Sequence, residues 1–239
     1  MNEVMAIAAE SMTLDTARLQ SIAQNLANVT TTGFKRLAVS RSPFIVAFDD
    51  ALSAVSISAA EERSSMDSKA GAMRRTDNPL DLAIEGGGFF EVQTPQGTRY
   101  TRAGMMQIDH DGALVTQAGD VVGGTQGKIM LSSANPIIDK LGRIFEKDKQ
   151  IGQIKIVQFS DARPPDYLGE GLYSASESSI ASEQGLPSLR QGFLEASNVS
   201  STHEMIKIIE TMRHFESMQK VVQGFDDFSD TTLRRLGEF

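Results

Sequence analysis

Hydrophobic positions near the start of the chain recur every seven residues. Met5, Met12, Leu19 and Leu26 form one seam, and Ala8, Asp15, Ile22 and Val29 form a second. These are the a and d positions of a heptad, so the pattern predicts an amphipathic helix. Asp15 is the flaw in that stripe. Ala9, Thr16, Ala23 and Ala27 flank the seams and are small enough for close approach. Thr30-Thr31-Thr32-Gly33 continues a helix poorly, so the helix is expected to stop near Asn28. A helix of this kind is marginal alone and needs a partner.

The far end of the chain supplies one. Ser200, Ser201 or Thr202 can cap a helix there, and Glu204 falls in the first turn, where the helix dipole favours it. Met205, Ile208, Met212, Phe215, Gln219, Val222 and Phe225 step by three and four, with Met218 widening the face. The methionines suit a surface that meets several slightly different neighbours.

Between the helices the period falls to two. Leu80 to Ile84 alternates, Gly86-Gly87-Gly88 follows, and Phe89-Phe90-Glu91-Val92 resumes an extended run. Asp109-His110-Asp111-Gly112 reads as a hairpin turn between Met106–Ile108 and Ala113–Val115. Lys128–Leu131 and Gln153–Val157 read as further strands, and Pro95-Gln96-Gly97 as a turn. Residues 43–55 alternate weakly. Residues 59–71 and 174–185 are polar and read as loops. The fold class is therefore α+β: terminal α-helices pairing as a coiled coil, and a central all-β domain of short strands. The expected division is 1–35 with 195–239 as the helical domain, 36–78 as an extension or linker, and 79–194 as the β-rich domain.

Composition narrows the function. With 239 residues the chain can hold one large or two modest domains. The net charge of −8, with basic residues scattered, argues against nucleic acid as a partner. Absence of cysteine rules out disulfides and thiolate sites. No apolar run approaches the ~18 residues of a membrane span, so direct membrane insertion is not expected. Met1-Asn2-Glu3-Val4 has no basic leader region, and no cleavage site follows, so no cleaved signal peptide is expected.

Candidate chemistry is thin. The glycine triplet lacks the following helix that a phosphate loop needs and reads as a tight turn. Asp109, His110 and Asp111 lack the further oxygen ligands of a calcium loop. His110, His203 and His214 are not spaced as a zinc-binding pair, and no nucleophile elbow is present. No catalytic, metal or cofactor-binding residue is assigned; the expectation is a chain that is not an enzyme and has no cofactor.

Three blocks carry a resemblance. They are Asn25-Leu26-Ala27-Asn28-Val29-Thr30-Thr31-Thr32-Gly33-Phe34-Lys35; Asp81 to Phe90 with Tyr100 to Gly104 and Asp111 to Val115; and Leu194-Glu195-Ala196-Ser197-Asn198-Val199 with Glu204-Met205, Arg213, Phe215-Glu216 and Lys220. In this order they resemble the rod and hook proteins of the bacterial flagellum. Gln24, Met212 and Met218 depart from that family's usual residues. The resemblance implies a structural subunit of the basal-body rod, which polymerises through its terminal helices and transmits torque across the periplasm. It implies export by the flagellar type III apparatus without a cleaved signal peptide. The partners implied are copies of itself, other rod proteins and that apparatus. The length favours a rod subunit over the larger hook subunit, with the proximal rod position ahead of the distal one. A secreted oligomeric binding domain is the reading from a different class. The residues implied at the subunit interface are Met5, Met12, Leu19, Ile22, Asn25, Leu26, Asn28, Val29, Gly33, Phe34, Asn198, Met205, Ile208, Met212, Phe215 and Val222. Burial of these seams is expected to order the termini on polymerisation.

Overall fold

A computed structural model describes residues 2–41, 62–147, 149–160, 164–176, 179–180 and 188–236. In chain order, α1 (Asn2–Ala27) is followed by β1 (Leu37–Arg41), β2 (Glu62–Met66), β3 (Met73–Arg75), β4 (Leu82–Glu85) and β5 (Phe89–Thr94). Next come β6 (Gly97–Thr101), β7 (Met106–Ile108), β8 (Leu114–Thr116), β9 (Val121–Gly124), β10 (Gly127–Lys128), β11 (Ile137–Ile138) and β12 (Arg143–Glu146). The last elements are β13 (Lys149–Gln153), β14 (Ile156–Val157), β15 (Asp166–Gly169), β16 (Leu172–Ser174), β17 (Ser188–Gln191), β18 (Phe193–Glu195) and α2 (Ser201–Leu236). The fold is α+β, with two helices and short strands among the described residues.

The chain divides into two compact units. One comprises Met1–Ala27, Leu37–Ser65 and Ser200–Phe239; the other comprises Asn28–Arg36 and Met66–Val199.

In the helical unit, α1 stops at Ala27, where the β-branched run begins. Polar contacts join the helices: Asn25 Nδ2 donates to Glu204 Oε2 at 3.2 Å, and His214 Nδ1 meets Asp15 Oδ2 at 2.5 Å. Ten residues separate the contacts on each helix and run in opposite senses, so α1 and α2 lie antiparallel. Asp15 is fully buried and also accepts from Arg18 at 3.3 Å. The flaw in the stripe is thus a cross-helix polar contact. On α1, Ala8 and Ile22 are buried, whereas Met5, Met12, Leu19 and Leu26 are half-buried. On α2 the shielded positions include Glu204, Ile208, Thr211, Phe215, Met218, Val222 and Phe225, which step by four and three, with Ser201 and Lys207 also partly shielded. Met205 and Met212, read as seam positions, are 54% and 49% exposed. The reason is geometric: with Glu204 and Thr211 facing inward, the residue that follows each is rotated ~100° away.

The β unit is built on one antiparallel sheet of order β15-β16-β6-β5-β9-β8-β7, with β10 on β9 and β14 on β5. Phe89 and Phe90 explain its layering. Successive strand residues point to opposite faces. Phe90 packs with Leu82, Ile84, Leu114, Val122 and Ile144, while Phe89 packs with Tyr100, Val157 and Tyr173. Both faces of this strand are therefore covered. The hairpin read at 109–112 is present: Ile108 faces Leu114, Gly112 has φ of 84°, and Asp109 Oδ1 accepts from the Asp111 and Ala113 amides at 3.0 and 2.6 Å. A three-stranded sheet, β11-β12-β13, adds to the unit.

Of the segment read as an extension, β1 pairs with β2, and β3 pairs with β18. Residues 62–66 were expected in a loop and are instead a strand. Their polar sequence has no period to signal this; the partner strand supplies the pairing. The weak alternation at 43–55 lies outside the described residues.

Candidate functional site: a buried charge cluster

The three sequence blocks supply the three members of one ionic cluster. Glu195 sits at its centre, at the end of β18. Its Oε1 accepts from Lys35 Nζ at 2.7 Å and from the Gly71 amide at 2.8 Å, and its Oε2 accepts from Arg102 Nε at 2.6 Å. The side chains of Lys35, Arg102 and Glu195 are 4%, 2% and 1% exposed. Two cations face one anion, and backbone carbonyls solvate the excess. Lys35 Nζ also donates to the Lys69 carbonyl at 2.8 Å. Arg102 donates to the carbonyls of Ile84 at 2.9 Å, Gly86 at 2.5 Å, and Gly88. The glycine triplet is therefore a cradle for a guanidinium. Gly86 and Gly88 hold φ of 91° and 127°, which aims these carbonyls at the arginine.

The cluster's electrostatics follow from this geometry. Burial pushes the Glu195 carboxyl up, but the Arg102 charge, with hydrogen bonds from Lys35 and Arg102, outweighs it and holds the group below its ordinary value. Burial dominates at Lys35 and lowers its ammonium pKa, against the opposing pull of Glu195. Burial also raises the Tyr173 phenol, whose Oη accepts from the Lys35 amide at 3.3 Å.

Backbone contacts tighten the same region. The Gly33 amide donates to the Glu195 carbonyl at 2.8 Å, and the Asn198 amide to the Phe34 carbonyl at 3.3 Å. Asn198 works as a splice: its Oδ1 accepts from the Arg36 amide at 2.7 Å, while its Nδ2 donates to the Asp67 and Lys69 carbonyls at 3.0 and 2.9 Å. Phe34 is buried, edge-on to Tyr167 with ring centres 5.4 Å apart.

Asn25 does the equivalent work in the helical unit. It is fully buried, accepts from the Leu37 amide at 2.8 Å and donates to the Leu37 carbonyl at 2.7 Å. Ser21 Oγ donates to that same carbonyl at 3.0 Å. An Asn25→Ala variant leaves the Leu37 N–H without its acceptor. It is expected to lose about 1–3 kcal/mol, the cost of an orphaned buried group. A lowered urea midpoint with an unchanged slope checks this.

Of the interface residues expected from sequence, Asn25, Gly33, Phe34 and Asn198 thus bind segments of their own subunit. Asn28 and Val29 are half-buried. Lys35, Arg102 and Glu195 were not singled out by sequence reasoning, and Asp15 only as a break in the apolar stripe. One signal was present: Arg102 and Glu195 are each a single charge among small and apolar neighbours, whereas Lys35 adjoins Arg36. Among the described residues, no group of three or more His, Asp or Glu side chains is placed to hold a metal ion.

The charges of this cluster fasten separate segments of one chain to one another. Residues 83–158 match the family described as flagellar hook protein FlgE/F/G D1 domain, and residues 190–235 match the flagellar basal body rod FlgEFG protein C-terminal. The chain is 32% identical over 238 residues to the flagellar basal-body rod protein FlgG of Bacillus subtilis, covering 88% of this chain and 90% of that one. It is 33% identical over 230 residues to the rod protein FlgF of Caulobacter vibrioides, covering 92% of each. The FlgG of the same organism is 30% identical over 266 residues, covering 96% of this chain and 98% of that one. The chain belongs to the flagellar basal-body rod protein family and is a structural subunit of the rod.

Proposed function

We propose that this subunit polymerises through its terminal helices, paired as a coiled coil, into the axial shaft that transmits torque across the periplasm. The observation that carries this is the outer face of α2. Met205, Ile206, Ile209 and Met212 are all about half exposed, a contiguous apolar strip beside the shielded seam. Such strips mark interaction sites rather than ordinary surface. Residues 1–35 with 195–239 form the polymerising part, 79–194 the outer part, and 36–78 the extension. Met5, Met12, Leu19, Ile22, Leu26, Val29, Met205, Ile208, Met212, Phe215 and Val222 supply the assembly surface. Asn25, Asn28, Gly33, Phe34 and Asn198 act by fixing the shape that presents it. The subunit is exported through the flagellar export apparatus and works without catalysis or membrane insertion. No helix among the described residues is long and apolar enough to cross a membrane. The proximal rod, next to the distal rod, is the position we assign.

Leu19→Asp and Phe215→Asp test the reading. Each puts a charge into the seam of the helical unit. Both variants are expected to abolish swimming and to be missing from purified basal bodies, while the near-ultraviolet signal of the β unit's tyrosines is retained. Normal motility in either variant would sink the proposal.

A further inference from the structure

Residues 188–199 lie across the β unit as a strap. They carry β17 and β18 one after the other: β17 runs antiparallel to β4, with Leu189 facing Ile84, and β18 runs antiparallel to β3, with Leu194 facing Arg74. Gly192 makes the step between them at φ of 78°; its amide donates to the Asp81 carbonyl at 2.8 Å and its carbonyl accepts from the Thr76 amide at 2.9 Å. Leu189 packs into the same core as Phe90 and Leu114. Gln191 fastens a third place: its Nε2 donates to the Pro79 and Pro136 carbonyls at 2.8 and 2.7 Å, and its Oε1 accepts from the Ile138 amide at 3.2 Å. The Ala196 amide donates to the Ala72 carbonyl at 2.8 Å.

Two-stranded edges of this kind ordinarily fray before the core opens. Charge opposes that here. Glu195 belongs to the strap, whereas Lys35 and Arg102 belong to the body beneath it. Lifting the strap removes the carboxylate that both cations touch, together with the acceptors of the Gly71 and Gly33 amides. A buried charge that loses its partner is strongly destabilising. Water relieves the loss only if the segments that hold the cations part as well: the 33–35 segment, and the carbonyls of Ile84, Gly86 and Gly88 around Arg102.

We propose that residues 188–199 are a closing strap whose carboxylate couples it to the whole β unit: strap and sheet form and open in one step, and the unit has no folded state with the strap free. Chain order gives this a consequence. Glu195 follows Lys35 by 160 positions and Arg102 by 93, so the two cations wait for an anion that arrives late. A chain whose last residues are still held therefore keeps its β unit open. The use of that delay in export rests on the reading above; the coupling itself rests on the cluster alone.

Hydrogen exchange of the purified full-length subunit tests this without any substitution. The Gly33, Gly192 and Ala196 amides are bonded across the strap, and those of Leu114 and Ile154 within the body of the unit. All five are expected to be protected to within about tenfold of one another and to lose protection in parallel as urea is added. Strap amides that exchange more than about tenfold faster, through an opening that spares the body, overturn the coupling. Refolding kinetics give a second measurement. Glu195→Gln is expected to slow folding by about tenfold or more and to leave unfolding nearly unchanged, because the contact it removes belongs to the closing step. Folding at the wild-type rate with faster unfolding would place the strap after the barrier and overturn the proposal. Neither measurement involves a polymer, so failure here leaves the assembly reading intact. Normal swimming of Leu19→Asp or Phe215→Asp overturns that reading and leaves the coupling.

Discussion

Replacing Glu195 with alanine is expected to destabilise the β unit by about 3–5 kcal/mol, the cost of removing one partner from a buried ionic group. The anion is the minority charge of its cluster. Without it Lys35 and Arg102 face each other inside the fold with only carbonyls for company, and the Gly71 amide loses its acceptor. Thermal unfolding followed by circular dichroism measures the loss. A shift no larger than that of a surface substitution would mean that water reaches the cluster.

The pH dependence separates this effect from simple loss of packing. The ordinary value of the Glu195 carboxyl is 4.5, and the folded value lies lower. Its contribution is complete above the unfolded value and is lost as pH falls from there through the folded value. Stability in acid should therefore decline more steeply in the wild type than in Glu195→Gln. The slope at Lys35 has the same sign, in a more alkaline interval. Its folded pKa lies below 10.5, so the unfolded chain binds more protons in that interval, and stability rises with pH across it. The Glu195→Ala variant should recover part of its deficit in alkali, as Lys35 sheds its charge.

Gly33→Val is the second large effect. Gly33 holds φ of 70°, a region that costs about 1–2 kcal/mol for a residue with a Cβ and more for a β-branched one. Steric overlap adds to it. A Cβ here would run into the carbonyl of Arg102 and the amide of Ala103, which are backbone and cannot rotate away. The shift needed would also pull the Gly33 amide from the Glu195 carbonyl and Lys35 from the carboxylate. A combined loss above about 4 kcal/mol is expected, among the largest for a point substitution. Motility should be lost, and the purified chain should unfold at a markedly lower urea concentration. Gly87→Val is the control: a Cβ at Gly87 meets nothing within 4 Å, and little change is expected.

The parts legible in sequence were the local ones. The α1 stop, the α2 start and the 109–112 hairpin depend on residues within one turn of each other. The two-face burial of Phe89 and Phe90 was half legible: their adjacency after glycine marked a strand, but not that both faces would be covered. The β2 strand was missed because its residues are polar and its pairing with β1 is not local. The α2 seam was legible at Ile208, Phe215, Met218, Val222 and Phe225, whereas Met205 and Met212 lie beside it and are exposed in the isolated subunit. What fixes the rotation of α2 is polar: Glu204 reaching Asn25, and Asp15 reaching His214.

Taken alone, then, the sequence determined the element types, the order of helix, β region and helix, and, through its three blocks, the family. Those properties rest on period, turn chemistry and short motifs, all read within a few residues. Only the tertiary structure decided that the blocks meet. Lys35 and Glu195 are 160 positions apart, and Arg102 and Glu195 are 93 apart. An isolated charge in a sequence looks the same whether it ends in water or in a core. Its meaning is set by the desolvation that burial imposes and by the partner that arrives to offset it, and both exist only once the chain has closed.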